Sequence, residues 1–213
     1  MDDRMLGIKY HNSFRGEWNL AIDIGANKGH YSELYTRLFS TVAGIEPNED
    51  LIPLYTNLKK RFNTFNLYTQ GIGDSNQGAA LFYKCSDSAL SGFDLDYINE
   101  NIYEFHGDNP DIDISYNLKG TKVQTLDSFM HDFYPKIQLD FLKIDAEGLG
   151  PSILKGGASI IEKYTPTIQI ECGHERSMLH DIGYICVAET LDNSDSVYIH
   201  ASKLINKLES KNV

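Results

Sequence analysis

Short apolar runs alternate along this chain with stretches in which apolar residues recur every three or four positions. The run Leu20–Ile24 has the continuous apolar character of a buried strand and ends in Gly25-Ala26-Asn27-Lys28-Gly29. Tyr31, Leu34, Tyr35, Leu38 and Phe39 then form one helical stripe. Residues 42–45 predict a second strand. Asn48 is placed to cap a helix whose buried face is Leu51, Leu54, Tyr55, Leu58 and Phe62. A third strand is expected over 65–69 and a weak one over 79–84, after which the pattern becomes irregular and acidic until Lys119. Order returns at Val123, with a short helix over Leu126–Phe133 and the strongest buried-strand signal, Leu139–Ile144. Pro151 suits the first turn of a helix continuing through Ile153, Leu154, Ile160 and Ile161. Strands over 167–170, 184–191 and 197–200 follow, the last two joined as a hairpin by Asp192-Asn193-Ser194-Asp195, and a helix over 201–208 ends the pattern.

Strands alternating with helices predict an α/β fold, with a mostly parallel sheet covered on both faces. Ligands of such sheets bind beyond the carboxyl ends of the strands. Four segments lie there. In Asp23-Ile24-Gly25-Ala26-Asn27-Lys28-Gly29-His30, a dinucleotide fingerprint would need glycine at positions 27 and 30, where Asn27 and His30 stand. What remains is a tight turn that lets a ligand lie on bare backbone, with Asp23 placed to meet a cationic group. The competing reading is a turn that needs glycine for its dihedrals alone. Glu46, in Gly44-Ile45-Glu46-Pro47-Asn48, stands about 20 residues after the glycine loop, where such folds hold a ribose. Gly71-Ile72-Gly73-Asp74 is placed to edge an adenine ring, or is an ordinary Gly-Asp turn. In the fourth, Lys143 interrupts an apolar strand and needs an anionic partner, while Asp145 and Glu147 follow at the strand end.

These segments, with Thr125-Leu126-Asp127 and Pro166-Thr167-Ile168-Gln169-Ile170-Glu171, closely resemble the FkbM-type S-adenosylmethionine-dependent methyltransferases. The order and spacing match from about Asn19 to the terminal hairpin. The resemblance implies a class I methyltransferase (Rossmann-like) fold, with a seven-stranded sheet, an antiparallel last strand and O-methylation of hydroxyls. It also implies that Asp23, Gly25, Ala26, Asn27 and Gly29 meet the methionine part of S-adenosylmethionine. Glu46 and Pro47 would lie at the ribose, Gly73 and Asp74 at the adenine, and Asp145 at the methyl end. The family usually continues Asp-x-Glu-Gly-x-Glu, and here Gly150 replaces the last acid.

A sugar hydroxyl is a poor nucleophile at neutral pH, so a base or a metal is needed to take its proton. Asp145, Glu147, Glu171 and His174 are the catalytic candidates. His30 is a weaker one, because its place is equally that of a residue starting a helix. A metal-independent base, Glu147, is favoured over a divalent-cation site. The competing functions are a nucleotide-cofactor oxidoreductase and a catalytically inactive cofactor-binding module.

Charge and composition narrow the partners. The 213 residues carry 19 basic and 30 acidic side chains, a net charge of −11, which disfavours nucleic acid and anionic membranes. No apolar run is long enough for a bilayer span, the first residues lack a signal-peptide core, and the three cysteines form no framework, so a cytoplasmic protein is expected. One domain over 1–213 is expected, with an acidic insertion at about 85–119. Between Lys84 and Lys119 there is no Lys or Arg, while eight acids interleave with Phe93, Tyr97, Tyr103, Phe105 and Tyr116. That composition suits an acceptor pocket for a sugar or glycan hydroxyl, or a solvated loop with its aromatics tucked inward.

Overall fold

The computed structural model describes residues 5–14, 17–107, 111–117, 119–171, 175–190 and 195–209. Strands β1 (Leu20–Ile24), β2 (Thr41–Ile45) and β3 (Phe65–Tyr68) are followed by short strands β4 (Gly71–Gly73), β5 (Gln77–Ala80), β6 (Tyr83–Cys85), β7 (Ile114–Tyr116) and β8 (Thr121–Thr125). Then come β9 (Leu139–Ile144), β10 (Thr167–Glu171), β11 (Tyr184–Glu189) and β12 (Asp195–His200). The main sheet has seven strands in the order β11-β12-β10-β9-β1-β2-β3. Its strands run parallel except at β12, which is antiparallel to both β10 and β11. This is the class I methyltransferase architecture. The chain reverses direction across the sheet at β1, so the carboxyl ends of β1, β2 and β9 open a crevice there.

Helices α1 (Leu6–Ser13), α2 (His30–Tyr35) and α3 (Ile52–Arg61) cover one face, and α4 (Leu95–His106) belongs to the acidic segment. Helices α5 (Leu126–Phe133), α6 (Gly150–Gly156), α7 (Ala158–Tyr164) and α8 (Glu175–Asp181) cover the other face, and α9 (Ala201–Glu209) follows β12. Ile22, Ile24, Leu142 and Ile144 pack with Phe129, Ile153 and Ile161 on the second face, while Ala21 and Phe141 pack with Tyr35, Phe39 and Tyr55 on the first. Burial on both faces explains why β1 and β9 read as continuous apolar runs.

The structure refines three of the expectations. Asn48 does cap, accepting from the Asp50 N–H, but what it caps is a 3-10 turn, Glu49–Leu51, ahead of α3. The helix expected from Pro151 onward breaks at Gly157 into α6 and α7. Asp127 accepts from the N–H groups of Ser159 and Ile160 and so satisfies the donors of the second piece. Thr125 caps α5. Together these bonds give the Thr125-Leu126-Asp127 motif its structural meaning. The segment expected to be irregular contains a twelve-residue helix, α4, capped by Asp94. Ile98 and Ile102 of that helix close a small core with Cys85 and Leu90. Of the turn expected over Asp192-Asn193-Ser194-Asp195, residues 192–194 lie outside the described residues and Asp195 already begins β12. Among the described residues, no helix is long and apolar enough to cross a membrane.

Helix α1 has no strong sequence signal, yet it delivers a fully buried histidine. The His11 ring lies against Trp18, Phe39 and Phe141. Its Nδ1 is 2.8 Å from Thr167 Oγ1 and its Nε2 is 2.7 Å from the Glu17 carbonyl. Burial pushes its pKa down to about 4, although the Glu17 carbonyl opposes the shift. An unfolded histidine titrates near 6.5, so below that pH the unfolded chain takes up this proton first and the His11 contribution to stability falls as pH drops toward 4. Linkage puts the loss at about 2 kcal/mol by pH 5. Denaturant unfolding of wild type and His11→Gln at pH 7 and pH 5 isolates it, because Glu46, Glu147 and Glu171, whose pKa values burial raises, shift stability the other way in both proteins: acidification should cost wild type about 2 kcal/mol more than His11→Gln. An equal change in the two proteins would leave His11 with no part in the acid response.

Candidate functional site

At the carboxyl ends of β1 and β2 the chain must turn within a residue or two. Gly25, Asn27 and Gly29 do so with φ of +77°, +44° and +79°. The N–H groups of Gly25 and Ala26 both donate to the Ile45 carbonyl, which ties the loop to β2. Glu46 then reaches back. One carboxylate oxygen accepts from the Asn27 N–H and the other from the Asn48 N–H, each at 2.7 Å. Burial, with those two bonds opposing it, pushes the Glu46 pKa up to about 7. Beneath the loop the Tyr55 hydroxyl donates to the Asn27 carbonyl. A side chain at Gly29 would strike the Tyr55 ring.

Gly25, Asn27, Glu46, Pro47 and Asp145 all line one cavity. Ala26 and Gly29 shape its loop without lining it. Asp23 is buried, accepts from the Ser32 hydroxyl at 2.6 Å, and has its second oxygen, Oδ1, without a hydrogen-bond partner. Burial raises its pKa, against the pull of Lys143. Gly73 and Asp74 fall outside the cavity and face a neighbouring groove. The Asp74 carboxylate lies 3.2 Å from Lys155 Nζ, and its N–H donates to Ser152. Gln70, Gly71 and Ile72 line the cavity instead, together with Phe82 and with Ser88 and Phe93 of the acidic segment. The Ser88 hydroxyl donates to Asn27 Oδ1 at 2.8 Å, so this segment touches the glycine loop directly.

The cavity floor continues into an acidic cluster. Asp145, Glu147 and Glu171 each bring a carboxylate oxygen within 4.8 Å of the others. His174 lies outside the described residues, and His30 is exposed at the start of α2. Lys143 is 1% exposed and donates to Asp145 at 2.6 Å. The Tyr31 ring lies 4.3 Å from its ammonium. In register, Asp23 on β1 and Gln169 on β10 flank it. Burial alone would lower its pKa, but Asp145, Asp23 and Asp195 more than reverse that and keep it charged. The ion pair required by a lysine in an apolar strand is therefore present. Burial, then the Asp145 charge, pushes Glu147 up to about 7. Burial, then Glu147 and Asp145, pushes Glu171 up to about 8. Two carboxyls of this cluster thus exchange protons near neutrality, the range suited to acid–base work. Gly150, where the family has a second Glu, is buried at the start of α6.

Residues 23–185 match the family model of the methyltransferase FkbM domain. The chain belongs to the FkbM methyltransferase family. Its cofactor is S-adenosylmethionine. No curated protein matches the chain. Among solved structures, an FkbM methyltransferase from Methylobacillus flagellatus KT aligns at 18% identity with a TM-score of 0.55, over 85% of this chain and 43% of that one. A SAM-dependent methyltransferase from Aquifex aeolicus aligns at 12% identity with a TM-score of 0.44, over 93% of each chain. At such identities the likeness to the Methylobacillus protein is one of fold, and this chain spans less than half of that protein's length.

The residues present fit the FkbM-family cofactor. Gly25, Asn27, Glu46 and Pro47 line the cavity with backbone and one carboxylate, as a nucleoside requires, whereas Asp23 is buried outside that lining with the Lys143 charge acting on it. Each Glu46 oxygen has spare acceptor capacity beyond its one backbone bond. Glu46→Ala should therefore weaken S-adenosylmethionine binding by about 1.5–3 kcal/mol, the worth of hydrogen bonds to a charged acceptor. Calorimetric titration measures it. Wild-type affinity in Glu46→Ala would remove Glu46 from the ribose site.

Proposed function

We propose that this protein transfers a methyl group from S-adenosylmethionine to a hydroxyl of a sugar, glycan or small natural product, with Glu147 as the general base. The observation that carries the reading is the Glu147 carboxyl. It is half-buried, lines the cavity beside Asp145 and has a pKa of about 7. Bound S-adenosylmethionine supplies a methyl on a sulfonium, an electrophile that needs no further activation. The chain has to align an acceptor oxygen with that methyl and remove the hydroxyl proton as the bond forms. Glu147 takes the proton. Lys143 holds Asp145 at the methyl end, Glu46 and the glycine loop fix the nucleoside, and Phe82 and Phe93 keep water from the cavity. The acidic balance of the chain favours neutral hydroxyl compounds over nucleic acid as acceptors.

The test is a screen of sugars, glycans and small hydroxyl compounds with methyl-labelled S-adenosylmethionine. A labelled methyl on an acceptor oxygen, assigned by NMR of the product, is the expected result. A label on nitrogen or carbon would reject O-methylation while keeping methyl transfer. Cofactor binding with no transfer to any acceptor would favour the inactive binding module, for which Gly150 in place of the family's second Glu is the ground.

A further inference from the structure

The acidic segment reaches the cluster through one face of α4. Asn101 Nδ2 lies 3.0 Å from Glu147 Oε2. One helical turn earlier, the Tyr97 ring fills the space over Gly148, 2.9 Å from where a side chain there would begin. Glu147 and Gly148 form the tight turn after β9, with φ of +37° and +78°. A glutamate in that conformation is held by its surroundings, since a residue with a side chain rarely adopts it unaided. The helix that holds it is itself fixed. Asp94 caps its first turn, and Ile98 and Ile102, on an adjoining face, are buried in the small core with Leu90 and Cys85.

We propose that Asn101 is a positioning residue for methyl transfer: with Tyr97 packed on the turn, its amide holds one oxygen of Glu147 and leaves the other directed to the acceptor hydroxyl. The inference rests on Glu147 being the base. A carboxylate accepts on both oxygens and an amide nitrogen only donates, so the contact favours the ionised form that a base requires. Other groups act on the same carboxyl. Asp145 and Asp87 favour its protonated form, while Lys143 opposes them. Glu171, on the neighbouring strand, couples to Glu147 in turn.

The test follows the Glu147 carboxyl by carbon-13 NMR across pH in the full chain, with the signal assigned by its loss in Glu147→Gln. Asn101→Leu removes the donor at similar volume, and its midpoint should rise by about one pH unit. Asn101→Asp keeps the shape while adding repulsion, and should raise it at least as far. Asn101→Gln keeps an amide and should restore much of the wild-type value. A loosened helix would wet the carboxyl and lower its midpoint, so the direction separates positioning from mere structural support. An unmoved or lowered midpoint in either Asn101→Leu or Asn101→Asp would overturn the proposal. Full turnover in Glu147→Gln would instead overturn the base assignment, and with it the catalytic meaning of this contact, whatever the titration gave.

Discussion

Glu147→Gln should lower turnover by about 10²–10⁴, the usual worth of a positioned general base, while S-adenosylmethionine affinity stays within about twofold. Glutamine has nearly the same shape, so the Asn101 contact and the turn after β9 survive the change. The residues proposed to hold the nucleoside, Glu46 and the glycine loop, leave other strand ends, which is why binding and turnover should separate. A base acts only when deprotonated. Wild-type turnover should therefore rise with pH through about 7, and the variant's residual rate should lack that limb. Burial of the carboxyl is the main cause of this limb, and the Asp145 charge adds to it. Chelator should leave wild-type turnover unchanged. If it abolished the rate and Mg²⁺ restored it, the acidic cluster would act by holding a cation and the base assignment would fail. Acid-quench kinetics with labelled donor, on an acceptor from the screen, measure all three effects.

The alternation of apolar runs carried most of the central sheet, because β1, β2 and β9 are short, buried and followed by glycine or acidic residues, and β10 is buried and ends in one. The tight turn at the glycine loop and the place of Glu46 beside it were legible for the same reason, since both are local to a strand end. Other parts were not. The core of α4 is closed by only four buried side chains, too few to stand out in a segment rich in acids. Tyr55 reads as one more apolar residue on a helical stripe, although its hydroxyl supports the Asn27 carbonyl. Asn101 lies 46 positions from Glu147, and nothing in either neighbourhood announces the pairing. Asp74 sits one residue past β4 as the spacing suggests, but Ser152 and Lys155 of α6 hold it outside the cavity. Local spacing fixes which strand end a residue leaves, whereas the direction of its side chain depends on contacts distant in sequence.

Gly25→Ala should be the most damaging single methyl addition at the site. The added Cβ would lie 1.6 Å from the Asp145 carbonyl oxygen and 2.6 Å from its carbon, both backbone atoms. At φ of +77° the new residue would also sit in a conformation costing roughly 1–2 kcal/mol for any side chain. The clash cannot be relieved by a rotamer. It forces apart the exits of β1 and β9, where the Asp145 N–H donates to the Ile24 carbonyl at 3.0 Å. Displacing Asp145 carries the Lys143 ion pair and the Glu147 turn with it, so the glycine loop and the acidic cluster are disturbed together. A total cost of about 3 kcal/mol or more follows, lowering Tm by about 6–12 °C for a chain of this size. S-adenosylmethionine binding should fall below calorimetric detection. Gly78→Ala is the control, since nothing lies within 4 Å of the atom it would add, and its melting and binding should match wild type. A Gly25→Ala protein that melts with the control and still binds the cofactor would mean that the β1 and β9 exits do not meet as described.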